Sequence, residues 1–334
     1  MAGTRSPTPP TLSPYPLAAP EAWNDASLDL WDATDSQGEE SHGVETDVVR
    51  CVTLNTRCGR GPHVRYVLRG ASPDAAERAL LLDETRAYAY HIADWIRRRR
   101  DRYEVVALQE VFHGILGFGA RPFGGRFRQR DYYRALTEFP QSIAHRVGFA
   151  GYRYENVLLS RLAPAPDPRI QSHLPCRVYR LAACGFTLAP FRVAGRTVWI
   201  GNTHLHAYNP ASRSKQAAEI AREVRRLGDV PILFLGDFNT VPPGAKDGDF
   251  PDGDRDVRSY RGDLTLQILA RAGLRAAPHE DREPYWTYPT GAPNRTLDFI
   301  LHTHHFDVED YRVVRDLQLS DHLPVEGTFR LRAS

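Results

Sequence analysis

The chain has 334 residues, 42% of them hydrophobic and 25% charged, the composition of a globular protein long enough to bury a sizeable core. Net charge is only +2, yet residues 1–47 carry one base and nine acids. The remaining body is therefore basic, which suits a polyanionic or phosphate-bearing partner and equally suits solvated helix faces. No apolar run reaches the length of a membrane span, about 18 residues. The opening MAGTRSPTPP has no apolar signal core, so the expectation, taking Met1 as the start, is a cytoplasmic protein.

Residues 1–46 are rich in Pro, Ser, Thr and acids without apolar periodicity, and are expected to form a disordered tail. Residues 47–334 alternate strand and helix signals. VVRCVTLN (48–55) reads as a strand, and residues 76–100 show helical spacing with a basic last turn. YEVVALQEV (103–111) is a strand. Residues 113–130, rich in Gly, Arg and Phe, read as a long loop. Further strands are expected at YENVLLSR (154–161), VYRLAACGFTLA (178–189) and RTVWIGNTHLHA (196–207), with a turn at Ala194-Gly195 joining the last two. An amphipathic helix over 211–227, with Ser212 as its candidate cap, precedes the buried strand VPILFLGDFN (230–239). An acidic loop, a short helix at LTLQILARAGL (264–274), and strands at RTLDFILH (295–302) and LPVEGTFRL (323–331) complete a mixed α/β plan. The four cysteines form no CxxC pair. They are expected to be reduced and mostly buried, with a Cys176–Cys184 bridge left open.

Polar residues gather at strand ends, where layered folds put their chemistry. In GDFN, Asp237 and Asn239 are two apart; on a strand they would share a face and could hold a cation and orient a water. The same residues also begin turns. In LSDHLP, adjacent Asp321 and His322 point in different directions. In RTLDFIL, Asp298 sits inside an apolar run and needs a partner, for which a histidine is suited. Glu110 closes a buried strand, where a carboxylate without a cation is costly. Asn55 ends the first strand. His204 and His206 in THLHA stand two apart, so a strand would put both on one face.

The ordered set N…LQE…NTHL…GDFN…LDFI…SDH resembles the endonuclease/exonuclease/phosphatase superfamily, and the resemblance covers nearly all of residues 48–331. It implies an α/β fold, a four-layer α/β/β/α sandwich with two mixed β-sheets packed face to face, and it makes 47–334 a catalytic domain. It also implies metal-dependent hydrolysis of phosphate esters with Mg²⁺, or with Mn²⁺ or another divalent ion. On that resemblance Glu110 is the main metal ligand, with Asn55 and Asp321 near the metal. Asp237 and Asn239 position the attacking water and the phosphate. His322 contacts phosphate or acts as general base, oriented by Asp298, and His204 donates to a non-bridging oxygen or the leaving group.

Substrate class is less sharply marked. THLHA and QEVF (109–112) are similar to segments of neutral sphingomyelinases, which favours a phosphodiesterase acting on a phospholipid of that type and makes His206 a candidate specificity residue. Glu155 stands near a glutamate that DNase I-like nucleases use, and with Asn156 is a candidate for substrate binding; a surface glutamate is the alternative. Arg126 and Arg128, among the phenylalanines of the 113–130 stretch, could serve a lipid interface or a nucleic-acid strand. A nuclease on DNA or RNA, an inositol-phosphate phosphatase, and a non-catalytic binding protein remain open. The expected partner is the phosphate-ester substrate, with peripheral membrane contact as an option and no obligate protein partner.

Overall fold

The computed structural model describes residues 46–59, 75–115, 129–149, 152–174, 184–243, 260, 262–277 and 282–333. The expected tail, Arg126, Arg128, Cys176 and the acidic stretch after GDFN lie outside them, apart from Thr46. Two six-stranded mixed sheets form the frame. The first has the order β11-β12-β1-β2-β4-β3, from β1 (Val48–Asn55), β2 (Val105–Ile115), β3 (Gln141–Phe149), β4 (Tyr152–Ser160), β11 (Phe306–Val313) and β12 (Val325–Leu331). The second has the order β5-β6-β7-β8-β10-β9, from β5 (Ile170–Leu174), β6 (Cys184–Val193), β7 (Arg196–His204), β8 (Ile232–Asp237), β9 (Arg275–Ala277) and β10 (Asp298–His302).

Each sheet has one parallel pair at its centre, β1–β2 and β7–β8. A parallel pair needs a crossover. Helix α1 (Ala75–Arg98) supplies it in the first sheet and α3 (Pro210–Leu227) in the second. Strand alternation then assigns the layers. Val52, Leu54, Val106 and Leu108 pack under α1 and under Tyr133 of α2 (Gln129–Thr137). Phe234, Phe299 and Leu301 pack under α3 and α4 (Thr265–Ala270). The alternate residues, Cys51, Val105, Ala107, Leu233, Leu235, Ile300 and Val325, meet between the sheets. Helices thus cover both outer faces of a two-sheet sandwich. Among the described residues, no helix is long and apolar enough to cross a membrane.

Several local expectations change. Asn209, not Ser212, caps α3: its side chain accepts from the Ser212 amide, and Pro210 fills the first turn, where a missing N–H costs nothing. The 178–189 run is described as strand only from Cys184. Helix α2 and strands β3, β5, β9 and β11 were not expected. β11 is an edge strand, FDVEDYRV, whose inner residues are mostly exposed, so it carries no apolar alternation to read. The Ala194-Gly195 turn is present, with φ of 47° and 74°, the double-positive geometry of a tight hairpin.

Candidate active site

At one end of the sandwich the inward-facing positions turn polar. Along β1 they run Cys51, Thr53, Asn55; along β2, Val105, Ala107, Gln109; along β8, Leu233, Leu235, Asp237; β10 begins with Asp298 two before Ile300. Asp298 and Asp237 are register partners across β10 and β8, and His204 is the partner of Asp237 across β7 and β8. Gly236 permits the last approach: a Cβ there would lie 2.1 Å from the Thr203 carbonyl oxygen, and its φ is 148°. A buried amide lattice floors the site. Gln109 Nε2 donates to Asn202 Oδ1 across the sheets at 2.8 Å, and Asn202 Nδ2 donates to the carbonyls of Leu108 and Val157.

Glu110 reaches this end only through a bulge. Strict alternation would place it with Val106 and Leu108 on the face under α1. The β2–β4 register instead shifts between Leu108 and Val111, and Glu110 has a φ of 53°. The bulge turns the carboxylate inward. Asn55 Nδ2 donates to Glu110 Oε1 at 3.3 Å and to Asp237 Oδ2 at 3.0 Å, joining the two sheets.

His322 and Asp298 form the buried pair expected of them, with Nδ1 and Oδ2 2.8 Å apart. The carboxylate holds the ring so that Nε2 faces Asp237 Oδ2 at 3.7 Å. His204 Nε2 approaches the same oxygen at 3.5 Å and lies 3.9 Å from Glu110 Oε1. Two imidazoles thus flank one buried carboxylate. Burial alone would lower the His322 pKa, but Asp298 and Asp237 overcome it and raise it to about 10. Burial pushes the Asp237 carboxyl up, against the downward pull of His322. Asp237 and His322 thus influence each other's protonation.

Glu110 and Asp321 are the two carboxylates expected to serve a cation. The Asp321 carboxyl is raised chiefly by burial, pulled back by His322 and Arg57, and raised further by Glu110. A cation beside Asp321 would offset the burial that raises its carboxyl, and a hard ion such as Mg²⁺ uses one or two carboxylates and keeps its waters. The residues fit such an ion. Asn55 Oδ1 accepts the Arg57 amide at 2.9 Å, and its Nδ2 faces the carboxylates. Its part in this geometry is to orient Glu110 and Asp237.

Other expected site residues land differently. β7 ends at His204, so His206 does not share its face. The His206 ring is buried, and its Nδ1 accepts the amides of Tyr208 and Asn209; it shapes the turn into α3. Asn239 does not share a strand face with Asp237 either. It has a φ of 50°, its amide donates to Asp237 Oδ1 at 2.8 Å, and its Nδ2 donates to the Leu205 carbonyl. The turn reading and the site reading of GDFN are thus the same structure. Glu155 is buried, not at the surface, with Arg130 Nη1 3.7 Å away. Asn156 is buried between the sheets, donating to the Gly185 carbonyl at 3.2 Å.

Further residues at the site carried no expectation. Arg57 Nε pairs with Asp321 at 3.1 Å, and Ser320 Oγ donates to the Asn55 carbonyl at 2.6 Å. The Tyr288 ring lies 4.9 Å from that of His322, and the Arg295 guanidinium lies 5.1 Å from the Tyr288 ring and 5.8 Å from the Tyr260 ring. Arg213 in turn lies 5.5 Å from Tyr260 and donates to the carbonyls of His206 and Ala207. This cation–aromatic stack links His322 to the segment after His204. No sequence signal marks it, because its members come from segments far apart in the chain.

Carboxylates, an amide and two imidazoles thus meet at one end of the interface between the two sheets. The chain belongs to the endonuclease/exonuclease/phosphatase family, matched over residues 52–322, and is on that ground a hydrolase of phosphate esters; family members generally use divalent metals. Among solved structures, it is similar to an endonuclease/exonuclease/phosphatase from Beutenbergia cavernae, at 19% identity and a TM-score of 0.60, over 85% of this chain and 72% of that one. A mannosyl-6-phosphatase from Bacteroides thetaiotaomicron is 15% identical with a TM-score of 0.54, over 84% of this chain and 99% of that one. A humanized D. rerio TDP2 is 13% identical with a TM-score of 0.50, over 85% of this chain and 99% of that one. No curated protein matches the sequence.

Proposed function

We propose that this chain is a Mg²⁺-dependent phosphodiesterase that cleaves its ester by in-line attack of water. The observation that carries the reading is Asp237 Oδ2 with His322 Nε2 at 3.7 Å and His204 Nε2 at 3.5 Å. These separations are longer than a direct hydrogen bond and bring both rings to bear on one carboxylate oxygen. Asp298 orients the His322 ring and holds the Nδ1 proton, so that Nε2 is the atom that exchanges a proton with the site. Asp237 orients the water, and His204 donates to a non-bridging oxygen or to the departing alkoxide. A bound ion would be held by Glu110 and Asp321 and would supply Lewis acidity and neutralise phosphate charge.

Preference for a diester, with a phospholipid of the sphingomyelin type as the candidate, rests on the THL and QEVF segments. His206 no longer adds to it, because its Nδ1 serves the turn into α3. Purified protein with Mg²⁺ should be assayed on bis-p-nitrophenyl phosphate, p-nitrophenyl phosphate, sphingomyelin vesicles, plasmid DNA, RNA and inositol phosphates, each with an EDTA control. Diester turnover abolished by EDTA is expected. Turnover of monoesters alone would replace this reading with a phosphatase. Turnover of DNA or RNA without lipid would make the chain a nuclease.

A further inference from the structure

A second cluster of metal-ligating side chains lies at the far end of the same strand pair. Asp229 precedes β8 and His304 and His305 follow β10. The Asp237–Asp298 pair closes one end of the β8–β10 ladder and Leu233–His302 the other. The clusters are therefore on the order of 15 Å apart, at about 3.4 Å per residue.

Asp229 Oδ1 is 3.5 Å from His305 Nε2 and 3.7 Å from His304 Nε2, and the three ligand atoms all lie within 4.8 Å of one another. Those separations are long for a hydrogen bond. They are close to the spacing of two ligands on one tetrahedral ion, about 3.4 Å for bonds of about 2.1 Å. The surroundings are also ordered. Thr303 Oγ1 accepts the Ile232 amide at 3.0 Å, is 3.4 Å from the Val230 carbonyl and is 3.1 Å from His305 Nδ1. With Nδ1–H donating to that hydroxyl, the hydroxyl proton goes to Val230, and the Nε2 lone pair is left facing Asp229. This is the outer hydrogen bond that orients a metal-bound imidazole.

We propose that Asp229, His304 and His305 form a second cation site, separate from the phosphate-ester site, for a borderline divalent ion of the Zn²⁺ type. Two imidazoles and one carboxylate favour a transition metal over Mg²⁺. Three protein ligands leave a fourth position for water or an external donor. The exposure of Asp229 and His304, 80% and 59%, places that position in solvent. When filled, the site ties the segment before β8 to the β10–β11 turn.

The test is Zn²⁺ uptake by the full chain, read by chelator competition in excess Mg²⁺, beside the change in Tm on adding Zn²⁺. Wild type and Glu110→Ala should each bind one equivalent and gain Tm. His304→Ala and His305→Ala should each weaken binding at least about tenfold and lose the Tm gain. His304 is largely exposed, so its variant is expected to fold, and a wild-type Tm without Zn²⁺ verifies this. Unchanged uptake in His304→Ala, loss of uptake in Glu110→Ala, or no uptake by wild type would overturn the proposal.

Discussion

The two ends of the β8–β10 pair carry nearly the same side chains in opposite environments. At one end Asp237, Asp298 and His322 are buried; at the other Asp229 and His304 are exposed and His305 is partly covered. Burial makes the difference. In the interior a carboxylate must be satisfied by neighbours, so Asp298 holds His322 at 2.8 Å and Asn55 reaches Asp237 at 3.0 Å. In solvent, water screens the same groups, and the nearest imidazole stands 3.5 Å from Asp229, against 2.8 Å between His322 and Asp298. The buried cluster is positioned for proton exchange, and the exposed one is free to take an ion without upsetting the fold.

Substitutions should separate the two ends, with the largest effects inside. His322→Ala leaves Asp298 buried without its imidazole, and the expected loss is about 3–5 kcal/mol of stability, read from the urea midpoint. His322→Ala and Asp237→Ala should each lower kcat at least about a hundredfold. Near-normal turnover in either would remove that residue from the proposed mechanism. Gly236→Ala drives a Cβ against the Thr203 carbonyl oxygen and should cost roughly 1–3 kcal/mol; an unchanged Tm would show that β7 and β8 can part at this point. Tyr288→Leu removes the ring beside His322, worth about 0.5–1.5 kcal/mol. A fall in kcat of up to about tenfold with KM unchanged is expected, and an altered KM alone would place Tyr288 on the substrate instead. At the exposed end, Asp229→Ala without added zinc should move stability by no more than about 0.5 kcal/mol and leave kcat unchanged. A larger effect would mean that the exposed cluster supports the fold.

Much of the frame was legible because it depends on periodicity. The central strands β1, β2, β7, β8 and β10 are near-continuous apolar runs ending in polar residues, and the long crossover helices carry regular apolar spacing. The edges were not legible. β11 presents mostly exposed residues, and β9 is three residues long. At the site, Asp298 was readable as a carboxylate needing a partner, and adjacent Asp321 and His322 do diverge, toward Arg57 and Asp298. His206 misled because alternation holds only while the strand lasts, and β7 stops at His204.

By itself the sequence determined the strand–helix alternation and the inventory of acids, amides and imidazoles at strand ends, since both follow from side-chain chemistry and local period. Tertiary structure decided which of those groups meet. Glu110 would face α1 by alternation, and only the bulge aims it inward. Asn55 and Asp237 are 182 positions apart, yet share a hydrogen bond because the two sheets pack face to face. The Arg213–Tyr260–Arg295–Tyr288 stack behind His322 likewise exists only in the folded chain. Direction and distance in space are set by packing, which no local pattern encodes.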